Sequence, residues 1–429
     1  MTYHTKSYLN LLSCGTVAKR GTAVGNVHWT GGNGLETRNL ARVQCVEGSD
    51  KPKLLIATRV LGASGQPWLW RQVAGLRGFH RELLCWRRDN PETYPLRDVS
   101  LHVVSEDPAP YDGTNRWWHR LRTLPGRNFY AAVGRERGQL DGLIRQVRPD
   151  VILCYFGDIA MRLLQVANRM DVPLVAYFHG DFQFLENQWY RWSLAQVARR
   201  FATVVVVNQI EREWLLQHGV LEEKLHVIPC GAPTDLFRPR GMPSKGPVRF
   251  VMASRLSRAK GCEWSIRAFA QVVRELPASQ LHIYGDGPLR DQLQRIVSEL
   301  GVEDRVVFHG WVEERRLCEV LPLYDVFLQH SLEREGFGVS IVEAAACELP
   351  VVVTGVPGIA GEHVVDGQTG LCVPEKDVTA MASAMLKLAC LPELRRQLGK
   401  AGRERAVDFY DSSVQTRRLQ EVLLNVVGV

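Results

Sequence analysis

No apolar run in this 429-residue chain approaches the roughly 18 residues that a membrane-spanning helix needs; the longest, such as "TVVVVN" (203–208), have strand length. The ten cysteines are scattered, with no C-x-x-C pair or other metal-like spacing. In a chain of this size they read as buried thiols of a reducing compartment and exclude a disulfide framework. The dinucleotide fingerprint G-x-G-x-x-G is missing, and no base-stacking module accompanies the modest net charge of +7, so nucleic acid is not the expected partner. No acidic residue precedes Glu36, and the first 50 positions have little apolar periodicity. They read as a disordered extension, 1–50, or as the product of an upstream start codon, and lack the continuous apolar segment of a secretory signal; an acid-poor transit peptide would share the composition.

What remains is globular. With 45% hydrophobic and 23% charged residues, the chain has the composition of a soluble protein, and its length favours two domains. From Lys53, β-branched runs alternate with helical stretches. Strands are expected at 54–60, 99–104, 151–156, 174–179, 203–208 and 226–229, with a clear helix in "GDIAMRLLQVANRM". A Pro/Gly-dense linker, 230–247, breaks the series. A second series follows at 248–254, 281–285, 306–310, 326–331, 350–355 and 370–374. Between its first two strands, Ile266, Phe269, Ala270 and Val273 repeat at i, i+3, i+4 and i+7, one helical face. The chain ends in further helix, "SVQTRRLQEVLLNVV". Continuous apolar strands separated by amphipathic helices predict α/β architecture: two doubly wound Rossmann-like domains, 51–240 and 241–410, facing a central cleft, with helix 411–429 completing the first. Ligands in such folds sit at the carboxyl ends of the strands.

The second half lines that cleft with an ordered set of loops. In "ASRLSRAKGCEW" (253–264), Arg255 and Lys260 follow a strand, and two fixed cations there suit a diphosphate. A solvated basic loop would look the same taken alone. "YGDGP" (284–288) makes a tight strand-to-helix turn, with Pro288 in the first helical turn and glycines that let backbone approach a ligand. "LEREGFG" (332–338) is the loop between strand "VFLQHS" and helix "VSIVEAAAC". It puts Glu335 ahead of the helix and Glu343 about one turn inside it. The amides of Phe337 to Ser340 then form a phosphate seat at the helix N-terminus, and the two carboxylates serve sugar hydroxyls. A surface Glu335 and a Glu343 acting only on the helix dipole would share the pattern. A glycine-rich loop at 355–361 completes the series.

In this order, "RLSRAKG", "HIYGDGP", "VVFHGWV", "EREGFGVSIVEAAACELPVVVT" and "EHVVDGQTGLCVP" resemble the GT-B glycosyltransferases, in particular the retaining family known as glycosyltransferase family 4. The resemblance covers nearly all of 52–429 and is densest from about 200 to 410. It implies that Arg255 and Lys260 bind the donor diphosphate, that Glu335 contacts the transferring sugar, and that Glu343 holds the ribose. It also places Gly285, Gly287, Trp311, Ser340 and the backbone of Phe337, Gly338 and Val339 on the nucleotide sugar. The first half matches more loosely. His179, in "LVAYFHGDF", resembles the family's active-site histidine and joins Glu335 as a catalytic candidate. "RVLGASGQPW" (59–68) takes the place of the glycine loop but has Ala63-Ser64 where a double glycine is usual; Gly65 is its candidate diphosphate contact. One extra residue precedes Glu362 in "PGIAGEHV", and "DFYD" (408–411) resembles the crossing of the final helix back to the first domain.

The resemblance implies sugar transfer from a nucleotide donor (UDP-, GDP- or ADP-linked) to an acceptor hydroxyl, with retention of anomeric configuration. No D-x-D pair occurs, so the cations and the helix N-terminus are expected to stabilise the leaving nucleotide without a metal cofactor. An epimerase of the same fold, or a non-catalytic sugar-nucleotide-binding protein, is the alternative. The acceptor is expected to be a sugar or lipid-linked glycoconjugate. "RWWHRLRTLPGRNFYAAVGRERG" (116–138) is basic and aromatic enough to rest on an anionic membrane at its cytoplasmic face. It fits a solvated helix pair or an acceptor-binding lip equally.

Overall fold

Thirteen strands, all paired in parallel, form two sheets among the described residues. The computed structural model describes residues 51–429 apart from 64, 97, 105–127, 181–186 and 242–245. The expected extension at 1–50 and most of the basic aromatic segment therefore lie outside the described residues.

The first sheet contains β1 (Lys53–Leu61), β2 (His80–Arg88), β3 (Ser100–Val103), β4 (Val151–Tyr155), β5 (Leu174–Phe178), β6 (Thr203–Val206) and β7 (Leu225–Val227). Their spatial order is β3-β2-β1-β4-β5-β6-β7. Helices α1 (Pro67–Gly75), α2 (Gly134–Val147), α3 (Gly157–Arg169), α4 (Gln188–Val197) and α5 (Gln209–Gln217) accompany it. Strands β4 and β5 are buried along their whole length, as continuous apolar runs covered on both faces must be. Strand β2 was not expected. Its sequence HRELLCWRR carries charge at both ends, but the central Leu83, Leu84, Cys85 and Trp86 are buried.

The second sheet contains β8 (Arg249–Ala253), β9 (Gln280–Tyr284), β10 (Val306–Gly310), β11 (Val326–Gln329), β12 (Val351–Thr354) and β13 (Gly370–Val373). Their order is β10-β9-β8-β11-β12-β13. With it go α6 (Cys262–Glu275), α7 (Arg290–Glu299), α8 (Glu314–Val320), α9 (Val339–Ala346), α10 (Val378–Cys390), α11 (Pro392–Tyr410) and α12 (Ser412–Val427). Pro288 falls in the turn before α7, two residues ahead of its start, because Leu289 N–H is held by Leu256 O at 3.1 Å. In each sheet the strand order reverses once, between β1 and β4 and between β8 and β11. Those switch points open crevices at the carboxyl ends.

Beyond α11 the chain crosses back. Ala232 and Asp411 form a parallel bridge, with Ala232 N–H donating to Tyr410 O and Ser412 N–H to Ala232 O, both at 2.9 Å. The Asp411 carboxylate caps α12 by accepting from Ser413 and Val414 N–H, and it also accepts from the Thr234 hydroxyl. Helix α12 then lies against α1, where Gln420 Oε1 accepts from Gly78 N–H at 2.7 Å. Asp411→Ala removes the cap and the Thr234 anchor together. It is expected to lower stability by about 1–2 kcal/mol in urea denaturation; an unchanged midpoint would show that the crossing is held elsewhere.

Candidate active site

The loops after β5 and after β11 meet at a pair of glycines. A Cβ on Gly336 would lie 2.9 Å from Gly180 Cα and 3.0 Å from Gly180 N, so the two backbones touch where the halves face each other. Polar groups brace this contact. Asn208 caps α5, accepting from Glu211 N–H at 2.7 Å, and its amide donates to Gly336 O at 2.6 Å. The buried Glu211 carboxylate accepts from Gly180 N–H at 2.6 Å and Val207 N–H at 3.3 Å. Glu362, from the second half, accepts from Gln209 N–H in the first turn of α5.

Around the glycines stand both catalytic candidates. Lys260, in a 3-10 turn after β8, donates to both Glu335 oxygens at 2.6 and 2.7 Å. Ser331 Oγ donates to the same carboxylate at 2.6 Å and Gln329 Nε2 at 3.2 Å; Gln329 in turn accepts from Ser340 Oγ at 3.0 Å. Sequence reasoning gave Lys260 to a phosphate and Glu335 to a sugar without anticipating that they pair. His179 immediately follows β5. Its ring stacks on Trp68 at 4.0 Å, and Phe156 meets it edge-on at 6.3 Å. Burial pushes the imidazole down to about 3, with the Lys260 ammonium adding to the effect, so the ring is neutral at ordinary pH. Its Nδ1 has no partner among the described residues.

Phe156 is itself unusual. At φ 73° and ψ 140° it occupies a region that costs a non-glycine residue about 1–3 kcal/mol. Its N–H bond to Tyr177 O and the Ala160 N–H bond to its own carbonyl hold it there. No local sequence pattern reports such a conformation. Asn208 and Glu211 were legible as N-x-x-E ahead of a helix, the capping-box spacing, but the reach of Asn208 to Gly336 of the other half was not.

Glu343 lies on α9, 4% exposed, and burial raises its carboxyl to about 7 against the opposing pull of the Arg71 guanidinium. Helix α9 begins at Val339 behind Gly338, which is left-handed at φ 68°, so Val339 and Ser340 supply its first amides. The Phe337 side chain is in the core, edge-on to His363 and Tyr410, which leaves only its backbone to the loop surface. Arg255 is exposed on the loop after β8. Gly285 and Gly287 are pressed against the neighbouring loop. A Cβ at either would meet Ser254 O at 1.9 Å or Leu256 O at 2.5 Å, so they let the two loops abut and thereby fix the loop bearing Arg255. Gly65 has open space around it, while its neighbour Ser64 lies outside the described residues. Trp311 follows β10 and is 46% exposed. Among the described residues no cluster of three or more His, Cys, Asp or Glu side chains converges on a metal position, and no helix is long and apolar enough to cross a membrane.

Paired Rossmann-like sheets with this cleft define a GT-B glycosyltransferase, and the comparisons with known proteins agree. Residues 94–236 match the model of glycosyltransferase family 4, and residues 235–405 that of the group 1 glycosyl transferases. A GDP-mannose-dependent alpha-(1-6)-phosphatidylinositol monomannoside mannosyltransferase from Mycolicibacterium smegmatis is 35% identical over 299 residues, 64% of this chain and 76% of the relative. A glycogen synthase from Mycobacterium tuberculosis is 26% identical over 359 residues, 76% and 81% of the two chains. The solved structure of HepE from Anabaena with UDP and glucose superposes with a TM-score of 0.70 at 19% identity, covering 87% of this chain and 99% of that one. Sucrose-phosphate synthase from Thermosynechococcus elongatus also gives 0.70, at 20% identity, covering 88% and 99%. This chain belongs to glycosyltransferase family 4, the group 1 glycosyl transferases, and is a glycosyltransferase.

Gly336→Ala sets a methyl against backbone that cannot rotate away. We expect sugar transfer to fall about 100-fold in kcat/KM, because displacements near 1 Å are enough for that, with the melting temperature nearly unchanged. Full activity would show that the halves need not meet at this point.

Proposed function

We propose that the protein takes a sugar from a nucleotide-sugar donor and transfers it, with retention and without a metal ion, to a hydroxyl of a glycolipid or polysaccharide acceptor. The observation that carries this reading is the cross-cleft group in which Lys260 and Glu335 of the second half stand beside His179 and Gly180 of the first. Arg255 and Lys260 would hold the diphosphate, the α9 amides would complete its seat, and Glu343 would accept from the ribose hydroxyls. Positive charge fixed at the leaving group lowers the barrier where negative charge develops.

The chemistry is a displacement at the anomeric carbon. The bond to the phosphate oxygen breaks, the bond to the acceptor oxygen forms on the same face, and the acceptor's proton passes to the departing phosphate. His179 supports that assignment: a ring that stays neutral down to about pH 3 is a poor proton acceptor and a good hydrogen-bond partner for a sugar hydroxyl. Glu335 orients Lys260 through two hydrogen bonds and is placed to reach the sugar. The relative from Mycolicibacterium smegmatis uses GDP-mannose and a phosphatidylinositol monomannoside, by its name, which favours a lipid-linked acceptor here.

The test is a panel of UDP-, GDP- and ADP-sugars, with acceptors offered free and as glycolipids in anionic vesicles. The product is read by NMR, with and without EDTA. Retention of the donor's anomeric configuration and full activity in EDTA are expected. An inverted product would sink the retaining mechanism, EDTA inhibition the metal-free one, and free sugar as the sole product the transfer itself. In the same assay Glu335→Gln should lower kcat about 100-fold by loosening Lys260, whereas Glu343→Ala should act first on donor affinity. A Glu343→Ala protein that binds donor like the wild type would remove the ribose assignment.

A further inference from the structure

Arg71 has no part in the scheme above, yet its side chain enters the same cleft. It stands on α1 three residues after Trp68, on the same helix face one turn farther along. Trp68 meets His179, at the sugar end. Arg71 forms an ion pair with Glu314, the first residue of α8 in the second half, and lies within electrostatic reach of the Glu343 carboxylate. Its side chain is only 16% exposed, and its guanidinium nitrogens are shut off from solvent. Nε and Nη2 have no hydrogen-bond partner among the described residues. A guanidinium presents five N–H donors in a rigid fork, and native structures rarely leave buried donors of a charged group unpaired without a ligand to take them.

From this geometry we propose that Arg71 is a donor-binding residue: it reaches from the acceptor half to the second half and gives its unpartnered N–H groups to oxygens of the bound nucleoside diphosphate. The proposal rests on the reading of the cleft as a nucleotide-sugar site. It makes the donor a bridge between halves, since Arg71 and Trp68 are fixed to the first and Glu314 and Glu343 to the second.

Charge supplies an independent consequence. Besides Arg71 from α1, the titratable groups facing Glu343 are the thiols of Cys230 from the linker, Cys318 from α8 and Cys347 at the end of α9, all raised by burial and uncharged. Arg71 itself is surrounded by Glu314, Glu343, Tyr94, Asp235 and Cys230. Arg71 is thus the cation that opposes the effect of burial on Glu343, whose carboxyl lies at about 7. A ribose hydroxyl donates better to the carboxylate than to the acid, so donor affinity rises with pH through that value. Without Arg71 the carboxyl would stay protonated to higher pH, and the rise would move upward.

Calorimetric titration with UDP, GDP and ADP from pH 6 to 9, on the wild type, Arg71→Met, Arg71→Lys and Glu343→Ala, tests this. We expect Arg71→Met to bind the preferred diphosphate about 10- to 100-fold more weakly at pH 7, with the midpoint of its pH dependence shifted upward. Arg71→Lys should keep the wild-type midpoint and lose only the part of the affinity that belongs to the fork. Arg71→Met binding within twofold of wild type, with an unmoved midpoint, would overturn the proposal. Should Arg71→Met not fold, Arg71→Lys decides: wild-type affinity in it would overturn the contact. A wild type that binds none of the three diphosphates would instead defeat the nucleotide-sugar reading, and the Glu343→Ala titration separates loss of the ribose contact from loss of the Arg71 contact.

Discussion

The contact between Gly180 and Gly336 sets the geometry of everything else in the cleft. Two parallel sheets can face each other at many distances, but here the backbone of the loop after β5 rests on that of the loop after β11 with no side chain between. The approach is polar as well as steric. Asn208 donates to the Gly336 carbonyl while Glu211 accepts from the Gly180 amide, so each glycine is held by the helix α5 terminus that lies beside them both. Buried hydrogen-bond networks of this kind are costly when half made and rigid when complete. Rigidity is what a group-transfer site needs from its walls.

On that frame, two glutamates eight positions apart acquire opposite electrostatics. Glu335 is surrounded by donors: Lys260, Ser331 and Gln329. Glu343 lies inside α9 with burial working against its charge and a single guanidinium working for it. The first is therefore fixed as an anion that holds a cation in place, and the second carries a charge that responds to its surroundings. Residues of one chemical type can diverge in this way because environment, not identity, sets the cost of a buried charge.

Most of the fold was legible because parallel strands buried on both faces leave continuous apolar runs. Twelve of the thirteen strands were expected, the edge strands β3, β7 and β10 from short β-branched or apolar runs although they are not buried on both faces, and β2 escaped because arginines at its ends mask four buried residues. The second-half loops were legible for a similar reason: each motif is local, a loop following its own strand. Contacts between the halves were not. Nothing near Arg71 announces Glu314, 243 positions later, and nothing near Asn208 announces that its amide will bind the Gly336 carbonyl. At the glycines 285 and 287 the sequence could not separate a ligand from a neighbouring loop, since both demand the same absence of a side chain.

The tail of the chain shows how such long-range placement is enforced. Helix α12 follows α11 of the second half, but the Ala232–Asp411 bridge turns it back onto α1. There Thr416 packs where a Cβ on Gly75 would fall, at 2.7 Å, and Gln420 takes the Gly78 amide. Helix α1 carries both Trp68, against His179, and Arg71, against Glu314. The last helix of the chain therefore buttresses the element that brings first-half side chains to second-half carboxylates. A shift of α12 would be felt at the site through α1, although none of its own residues is a site candidate.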